Sequence, residues 1–189
     1  NRAMRIISGK FKGKKLFLPS DKNTRPLKDM VKESIFNLLE HSNKFGLSLS
    51  NSSVLDLFSG CGSFGIECIS RGSKNVYFFE NYLKALKILK KNLSKLNQDQ
   101  NYKIFESDCF TFFNSKKIIE KKFDLIFIDP PYKESRINDL IEKIIEKKVL
   151  RRKGLFIIHR HKKDKLPITE KINILDVRTY GISKVYIAN

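Results

Sequence analysis

A chain of 189 residues has the length of about one domain, and its 41% hydrophobic content suffices to bury a core, which excludes wholesale disorder. Lys plus Arg number 38 against 20 Asp plus Glu, a net charge of +18. That excess points to a polyanionic partner, nucleic acid ahead of an acidic membrane surface, although the Lys, Asn and Ile enrichment of AT-rich genomes accounts for part of it. The longest apolar runs, such as Leu125 to Ile128, fall far short of the about 20 residues of a membrane-spanning helix, and no apolar signal-peptide core opens the chain. The three cysteines, Cys61, Cys68 and Cys109, lack zinc-finger spacing, so neither a disulfide scaffold nor a metal site is indicated. A soluble, cytoplasmic setting is the expectation.

In chain order, residues 5–18 hold two short apolar stretches around Gly9 and Gly13 and predict a hairpin. Pro26 suits the first turn of a helix, and Val31, Ile35, Leu38 and Leu39 give it one apolar face. Residues 42–52 read as loop. Val54 to Phe58 form a buried strand, followed by a Gly-rich turn and a helix over about 64–71. Val76 to Phe79 form a second strand, and the next helix carries Leu86, Leu89, Leu93 and Leu96 on one face. A third strand covers about 102–107 and a fourth Leu125 to Ile128. Ile137, Leu140, Ile141, Ile144 and Ile145 then repeat the helical spacing before a fifth strand, Leu155 to Ile158. Residues 171–178 and 182–188 close the chain as two strands with no helix between them. Apolar strands alternating with amphipathic helices predict an α/β, Rossmann-like sheet, mostly parallel, with an antiparallel C-terminal edge hairpin.

The turn Gly60-Cys-Gly62-Ser-Phe-Gly65 follows a strand and opens a helix. Glycines there allow a tight bend and close approach of a ligand, and the helix N-terminus offers free N–H groups. Glu80 ends the second strand, 20 residues past Gly60, where a carboxylate can accept both hydroxyls of a ribose. Asp108 ends the third strand, where a carboxylate can accept an adenine amino group. With Asp56 and Asp129, four successive strands put acids at their carboxyl ends, where α/β sheets bind ligands. A dinucleotide and S-adenosylmethionine both fit this turn, which cannot separate them.

Asp129-Pro130-Pro131-Tyr132 separates them. Two prolines fix the backbone, remove two N–H donors and extend the residue before each. The result is a stiff ledge of acceptors, the Asp129 carboxylate and the Pro130 carbonyl, beside the flat face of Tyr132. Such a ledge can grip the exocyclic amine of a base and free its lone pair toward a methyl donor. A base stacked on Tyr132 gains about 1–3 kcal/mol, and a paired base has to be flipped out to enter.

Asp56-Leu-Phe-Ser-Gly-Cys-Gly62 with Asp129-Pro-Pro-Tyr132 resembles the class I amino-methyltransferases. Met4 to Leu16, Arg25-Pro26, Val31 to Asn37, Glu67 to Gly72 and Tyr180-Gly181 extend the resemblance, over nearly the whole chain, to the RsmD-like 16S ribosomal RNA guanine-N2 methyltransferases. The resemblance implies an enzyme that transfers methyl from S-adenosylmethionine to the N2 amine of a guanine in small-subunit rRNA or an assembling small subunit. It implies that Gly60, Gly62 and Gly65 surround the methionine moiety, with Asp56 near its ammonium, Glu80 on the ribose and Asp108 on the adenine. Phe58, Asn81 and Cys109 complete the expected cofactor-binding set, and Asp129, Pro130, Pro131 and Tyr132 are the expected catalytic residues. Leu27, Met30 and His159 depart from the family pattern. Residues 1–50 are expected to form a basic hairpin and helix extension, and 51–189 the cofactor-binding domain of a monomer. Arg5, Lys10, Lys12, Lys14, Lys15, Arg25, Lys28 and Lys32 are the expected phosphate contacts, with His159 to Lys163 a secondary set. Competing readings are an adenine or cytosine amino-methylase, a dinucleotide oxidoreductase and a non-catalytic RNA-binding module. The oxidoreductase leaves the Asp129 ledge and the basic excess unexplained.

Overall fold

The computed structural model describes residues 4–21, 26–96, 101–164 and 168–189. Among them a short antiparallel pair, β1 (Met4–Arg5) and β2 (Lys15–Leu16), precedes α1 (Asp29–His41). There follow β3 (Ser53–Asp56), α2 (Ser63–Ser70), β4 (Asn75–Phe79), α3 (Leu83–Ser94), β5 (Tyr102–Phe105), α4 (Cys109–Asn114) and β6 (Phe123–Ile128). The chain ends with α5 (Ile137–Glu146), β7 (Leu150–His161), β8 (Ile174–Tyr180) and β9 (Ser183–Ala188). The larger sheet runs β5-β4-β3-β6-β7-β9-β8. Neighbours from β5 to β7 pair parallel, while β9 is antiparallel to both β7 and β8, so the closing hairpin lies at the edge as its missing helix requires.

Strand side chains alternate between two apolar layers. Val54, Val76, Phe78, Leu125, Phe127, Leu155 and Ile157 belong to one cluster, with α1, α2 and α3. Leu55, Phe79, Ile126, Ile128, Phe156 and Ile158 belong to the other, with α4 and α5. This two-sided burial is why the parallel strands read as unbroken apolar runs rather than as alternation. The chain leaves β3 for β4 on one side and reaches β6 on the other, and the resulting crevice beyond the strand ends is where such sheets hold ligands.

The N-terminal segment does not carry a core of its own. Met4, Ile6, Phe11, Leu16 and Leu27 share a cluster with α1 to α3. Gly9, at φ +85°, lies so close to α2 that an added Cβ would stand 1.9 Å from the Ser70 carbonyl oxygen, so only glycine fits there. Lys10 N–H donates to the Ser70 carbonyl, the Phe11 N–H donates to Ser70 Oγ, and Ser70 Oγ–H donates back to the Ser8 carbonyl. Glu67 is the anchor. Its carboxylate is fully buried and accepts from Ile7 N–H at 2.8 Å, Ser8 N–H at 3.0 Å and Arg71 Nε at 2.9 Å, with Lys32 Nζ at 3.3 Å.

Three sequence expectations change. Pro26 does not open the first helix: α1 starts at Asp29, and Lys28 before it is extended (φ −61°, ψ 141°), because Leu27 is buried and this segment walls the pocket below. The third strand stops at Phe105, so Asp108 stands beyond it rather than on its last residue. A short helix, α4, was not foreseen in the aromatic run Cys109-Phe-Thr-Phe-Phe-Asn114, whose residues are weak helix formers. Asp108 caps it, and burial of Phe110, Phe112 and Phe113 holds it.

Glu67→Ala leaves Lys32 buried without its counter-charge and frees two N–H donors. It should cost about 3–5 kcal/mol in chemical denaturation. Glu40→Ala removes only the partly exposed partner of Arg71 and should cost under about 1 kcal/mol. Equal losses in the two variants would refute the anchor.

Candidate active site

A single open cavity of about 1100 Å³ lies at the carboxyl ends of β3, β4 and β6, bounded by the starts of α2 and α4 and by the 26–28 segment. The Gly-rich turn forms its floor. Ser59 Oγ–H donates to the Asp56 carbonyl, Gly62 N–H donates to the Ser59 carbonyl, and Asn92 on α3 donates to the Cys61 carbonyl at 2.9 Å. Asn92 also exchanges hydrogen bonds with the Phe17 backbone, so the residue that follows β2 and the turn share one clamp. Gly62 takes a left-handed φ of +87°, and a Cβ there would stand 2.4 Å from Leu89 Cδ1.

Asp56, Phe58, Gly60, Glu80, Asn81, Asp108, Cys109 and Asp129 to Tyr132 all line the cavity. Gly62 and Gly65 do not. Gly65 instead faces the sheet, where an added Cβ would meet the Phe78 ring at 2.3 Å, so it is a packing glycine between helix and strand rather than part of the expected methionine site. Glu80 Oε1 accepts from Gly60 N–H at 2.8 Å, and Oε2 accepts from Asn81 and Tyr82 N–H at 3.0 Å each. The 20-residue spacing is thus a contact between strand end and turn. Asp108 Oδ1 caps α4 by accepting from Phe110 N–H at 2.7 Å while the residue stays on the cavity wall.

Asp56 is the exceptional group. It is 1% exposed, and among the described residues neither of its carboxylate oxygens has a hydrogen-bond partner. Burial, then the nearby Asp129 and Glu80 charges, push its carboxyl well above the usual range. Weaker contacts from the Gly65 and Phe58 backbone offset only part of this rise, so a cation at the cavity floor would relieve the remaining cost.

At the other end, Asp129 follows the last residue of β6. Its Oδ1 stands 2.7 Å from His159 Nδ1, and His159 Nε2 stands 2.8 Å from Ser183 Oγ. Tyr132 is 56% exposed at the mouth, its ring centroid 4.9 Å from that of His161. Arg136 lies over the Phe110 ring at 3.8 Å, and beside Glu134 it holds that carboxyl below its usual range. Reading the sequence missed Arg136 and Ser183 as wall residues and His159 as a partner of Asp129. The β7–β9 pairing that brings His159 and Ser183 together is a long-range contact with no local sign.

The basic set divides. Lys32 is fully buried against Glu67 and Ser63 Oγ and cannot meet RNA, which corrects that expectation. Arg25 lies outside the described residues. Lys28 is exposed on the cavity wall, which His161 and Lys163 also line. Arg5, Lys10, Lys12, Lys14 and Lys15 are exposed but do not line the cavity. The hairpin bonds to Ser70, the last residue of α2, while the first residue, Ser63, is at the cavity. An eight-residue helix, about 12 Å, separates the two ends.

This sheet order, with a strand-end cavity that joins a Gly-rich floor to an Asp-Pro-Pro-Tyr wall, defines the Rossmann-like methyltransferase class of fold. The solved Escherichia coli protein yhhF, described provisionally as a methyltransferase, superposes with a TM-score of 0.82 over 98% of this chain and 97% of that one, at 24% identity. YlbH of Bacillus subtilis, named provisionally as an rRNA methyltransferase, is 34% identical over 185 residues, 97% of each chain. Ribosomal RNA small subunit methyltransferase D of Haemophilus influenzae is 31% identical over 180 residues, 95% of this chain and 90% of that one. The family model described as Conserved hypothetical protein 95 matches residues 4–189, and the chain belongs to that family, the RsmD-like methyltransferases.

Asp56→Asn tests the charge at the floor. A carboxyl raised in the folded chain favours folding below its ordinary value of 3.8, and that contribution is lost as pH rises through the folded value. Asp56→Asn should therefore melt higher than the parent at pH 8, with the gain shrinking toward pH 4. A loss of stability at pH 8 would contradict the unpaired charge.

Proposed function

We propose that the chain transfers a methyl group from S-adenosylmethionine to the exocyclic N2 amine of a guanine in small-subunit rRNA. The observation that carries this reading is the Asp129-Pro130-Pro131-Tyr132 ledge opening onto the same cavity as the unpaired Asp56 carboxylate. Acids suit a cofactor with an ammonium and a sulfonium, and the cavity volume suits a nucleoside cofactor with a base beside it. The names of the relatives, which specify ribosomal RNA of the small subunit, support the substrate class.

Bound S-adenosylmethionine supplies an electrophilic methyl group. Asp56 then pairs with the ammonium, Glu80 takes the ribose hydroxyls, and Asp108 with the Phe58 and Cys109 walls takes the adenine. Asp129 and the Pro130 carbonyl accept the two N–H groups of the guanine amine, which turns the nitrogen lone pair toward the methyl carbon. Tyr132, exposed at the mouth, offers the stacking face for a flipped base. Alignment of nitrogen, carbon and sulfur supplies most of the acceleration. Lys28, His161 and Lys163 at the cavity, with the hairpin cations at the far end of α2, hold phosphates without choosing the base.

The test is methylation of small ribosomal subunits from cells lacking this enzyme, with mass analysis of the nucleosides. N2-methylguanosine is expected; N6-methyladenosine or a methylated cytosine would overturn the guanine assignment. Asp129→Ala should lose at least about 100-fold in turnover while titration calorimetry still finds S-adenosylmethionine bound. Binding of NAD without S-adenosylmethionine would overturn the methyltransferase reading itself. If about five phosphates are neutralised, the logarithm of RNA affinity should fall with that of salt at a slope of roughly −3.5 to −4.5. Lys28→Ala should make this slope shallower by about 1.

A further inference from the structure

We propose that His159, braced by Ser183, is a positioning residue that fixes the Asp129 carboxylate so that one of its oxygens faces the substrate amine. The inference rests on the reading of Asp129 as amine acceptor. Sheet register builds the arrangement. Ile128 pairs with Ile158, so Asp129, the first residue past β6, lies beside His159, which is still within β7. On the far side of β7, β9 pairs His159 with Val185 and His161 with Ser183, which puts Ser183 two residues from the register partner of His159 and on the same face.

The chemistry of the three groups sets their roles. An ionised carboxylate only accepts, so the 2.7 Å contact to Asp129 Oδ1 requires the proton on His159 Nδ1. In the neutral ring Nε2 is then an acceptor, and the Ser183 hydroxyl, 2.8 Å away, donates to it. Both flanking groups are largely withdrawn from water: Ser183 is buried, and the His159 and Asp129 side chains are 18% and 20% exposed. With Oδ1 committed to His159, rotation of the carboxylate is blocked and Oδ2 is the oxygen left for the amine. In the transfer itself the nitrogen forms its bond to the methyl carbon, the C–S electron pair leaves on sulfur, and one N–H proton passes to the carboxylate and on to water. Loss of the brace lets the carboxylate turn away from the line of attack, which lowers turnover rather than cofactor binding.

The full chain is assayed with S-adenosylmethionine and unmethylated small subunits. His159→Leu should lower kcat about 10–100-fold, the weight of one hydrogen bond to a charged group, with the S-adenosylmethionine Kd within about 2-fold of the parent. His159→Asn, whose amide nitrogen replaces Nδ1 as donor, should return kcat to within about 3-fold of the parent. Unchanged kcat in His159→Leu would overturn the proposal, as would equal losses in both variants together with lost cofactor binding, the mark of a merely structural role. The ring tautomer, read by 15N NMR on the unliganded chain, is independent of turnover. A proton on Nδ1 whose signal shifts in Asp129→Ala supports the brace, and a ring with its only proton on Nε2 and Nδ1 bare overturns it. Should the parent transfer no methyl to rRNA, the functional reading fails, and the NMR result alone decides the brace.

Discussion

The Glu67 carboxylate is the interaction on which the cavity depends. It is buried in the middle of α2 and collects donors from three separate parts of the chain: the backbone at Ile7 and Ser8, the Lys32 ammonium from α1, and Arg71 one turn on. Removing a partner from a buried charge pair is strongly destabilising, so α2, the hairpin and α1 hold one another in place through this carboxylate. Arg71 carries the link outward, stacking on Phe36 at 4.5 Å and pairing with Glu40. The segment between hairpin and α1 includes Pro26, Leu27 and Lys28, which wall the cavity. A charge network remote from the chemistry thereby fixes one side of the site.

The second constraint is a concentration of negative charge. Asp56, Glu80, Asp108 and Asp129 all line one cavity. Three of them are stabilised in place: Glu80 by backbone N–H groups of the turn, Asp108 by the end of α4, and Asp129 by His159. Asp56 is held only by weaker backbone contacts from Gly65 and Phe58, and burial and the neighbouring Asp129 and Glu80 charges leave its carboxyl well above the usual range. Such an arrangement stores a cost in the unliganded chain that a cationic ligand relieves, so the electrostatics that weaken the fold favour the ligand. Most of the described Lys and Arg residues sit outside this cavity, so the two signs are largely separated in space.

The sheet was legible in the sequence because parallel strands covered on both sides leave apolar runs that need no long-range information. The strand-end acids were legible for a related reason: Asp56 ends its strand and the other three follow theirs by a residue or a few, so locating the strand locates the acid. What escaped was whatever depended on register or on competition between local and tertiary terms. The aromatic run after Asp108 has poor helix propensity, yet α4 forms because its phenylalanines bury and Asp108 caps it. The spacing of Gly65 suggested a ligand contact, but the ring of Phe78 occupies the space a Cβ would need. Ser183 carries no motif and reaches His159 only through pairing of strands more than twenty residues apart.

Lysine shows why composition alone misleads about partners. Lys32 sits within a basic stretch of sequence and yet is fully buried as the counter-charge of Glu67. Lys14 and Lys95 spend their ammonium groups on each other's elements, Lys14 Nζ on the Lys95 carbonyl at 2.8 Å and Lys95 Nζ on the Lys15 carbonyl at 2.6 Å. These bonds close the C-terminal end of α3 against the hairpin, where cations also offset the helix dipole. Lys91 and Lys95 lay their charge over Phe17, covering an aromatic ring that is 44% exposed. A net charge counts all of these as available to a polyanion, whereas the folded chain commits several of them to its own structure. The cations that combine exposure with a place on the cavity wall are few, Lys28, Arg136 and Lys163 among them, and Arg136 is itself paired with Glu134. In the proposed reaction, specific delivery of a base to Asp129 would rest on those few positions, while the remaining surface lysines would contribute a long-range field that raises the encounter rate without selecting the site.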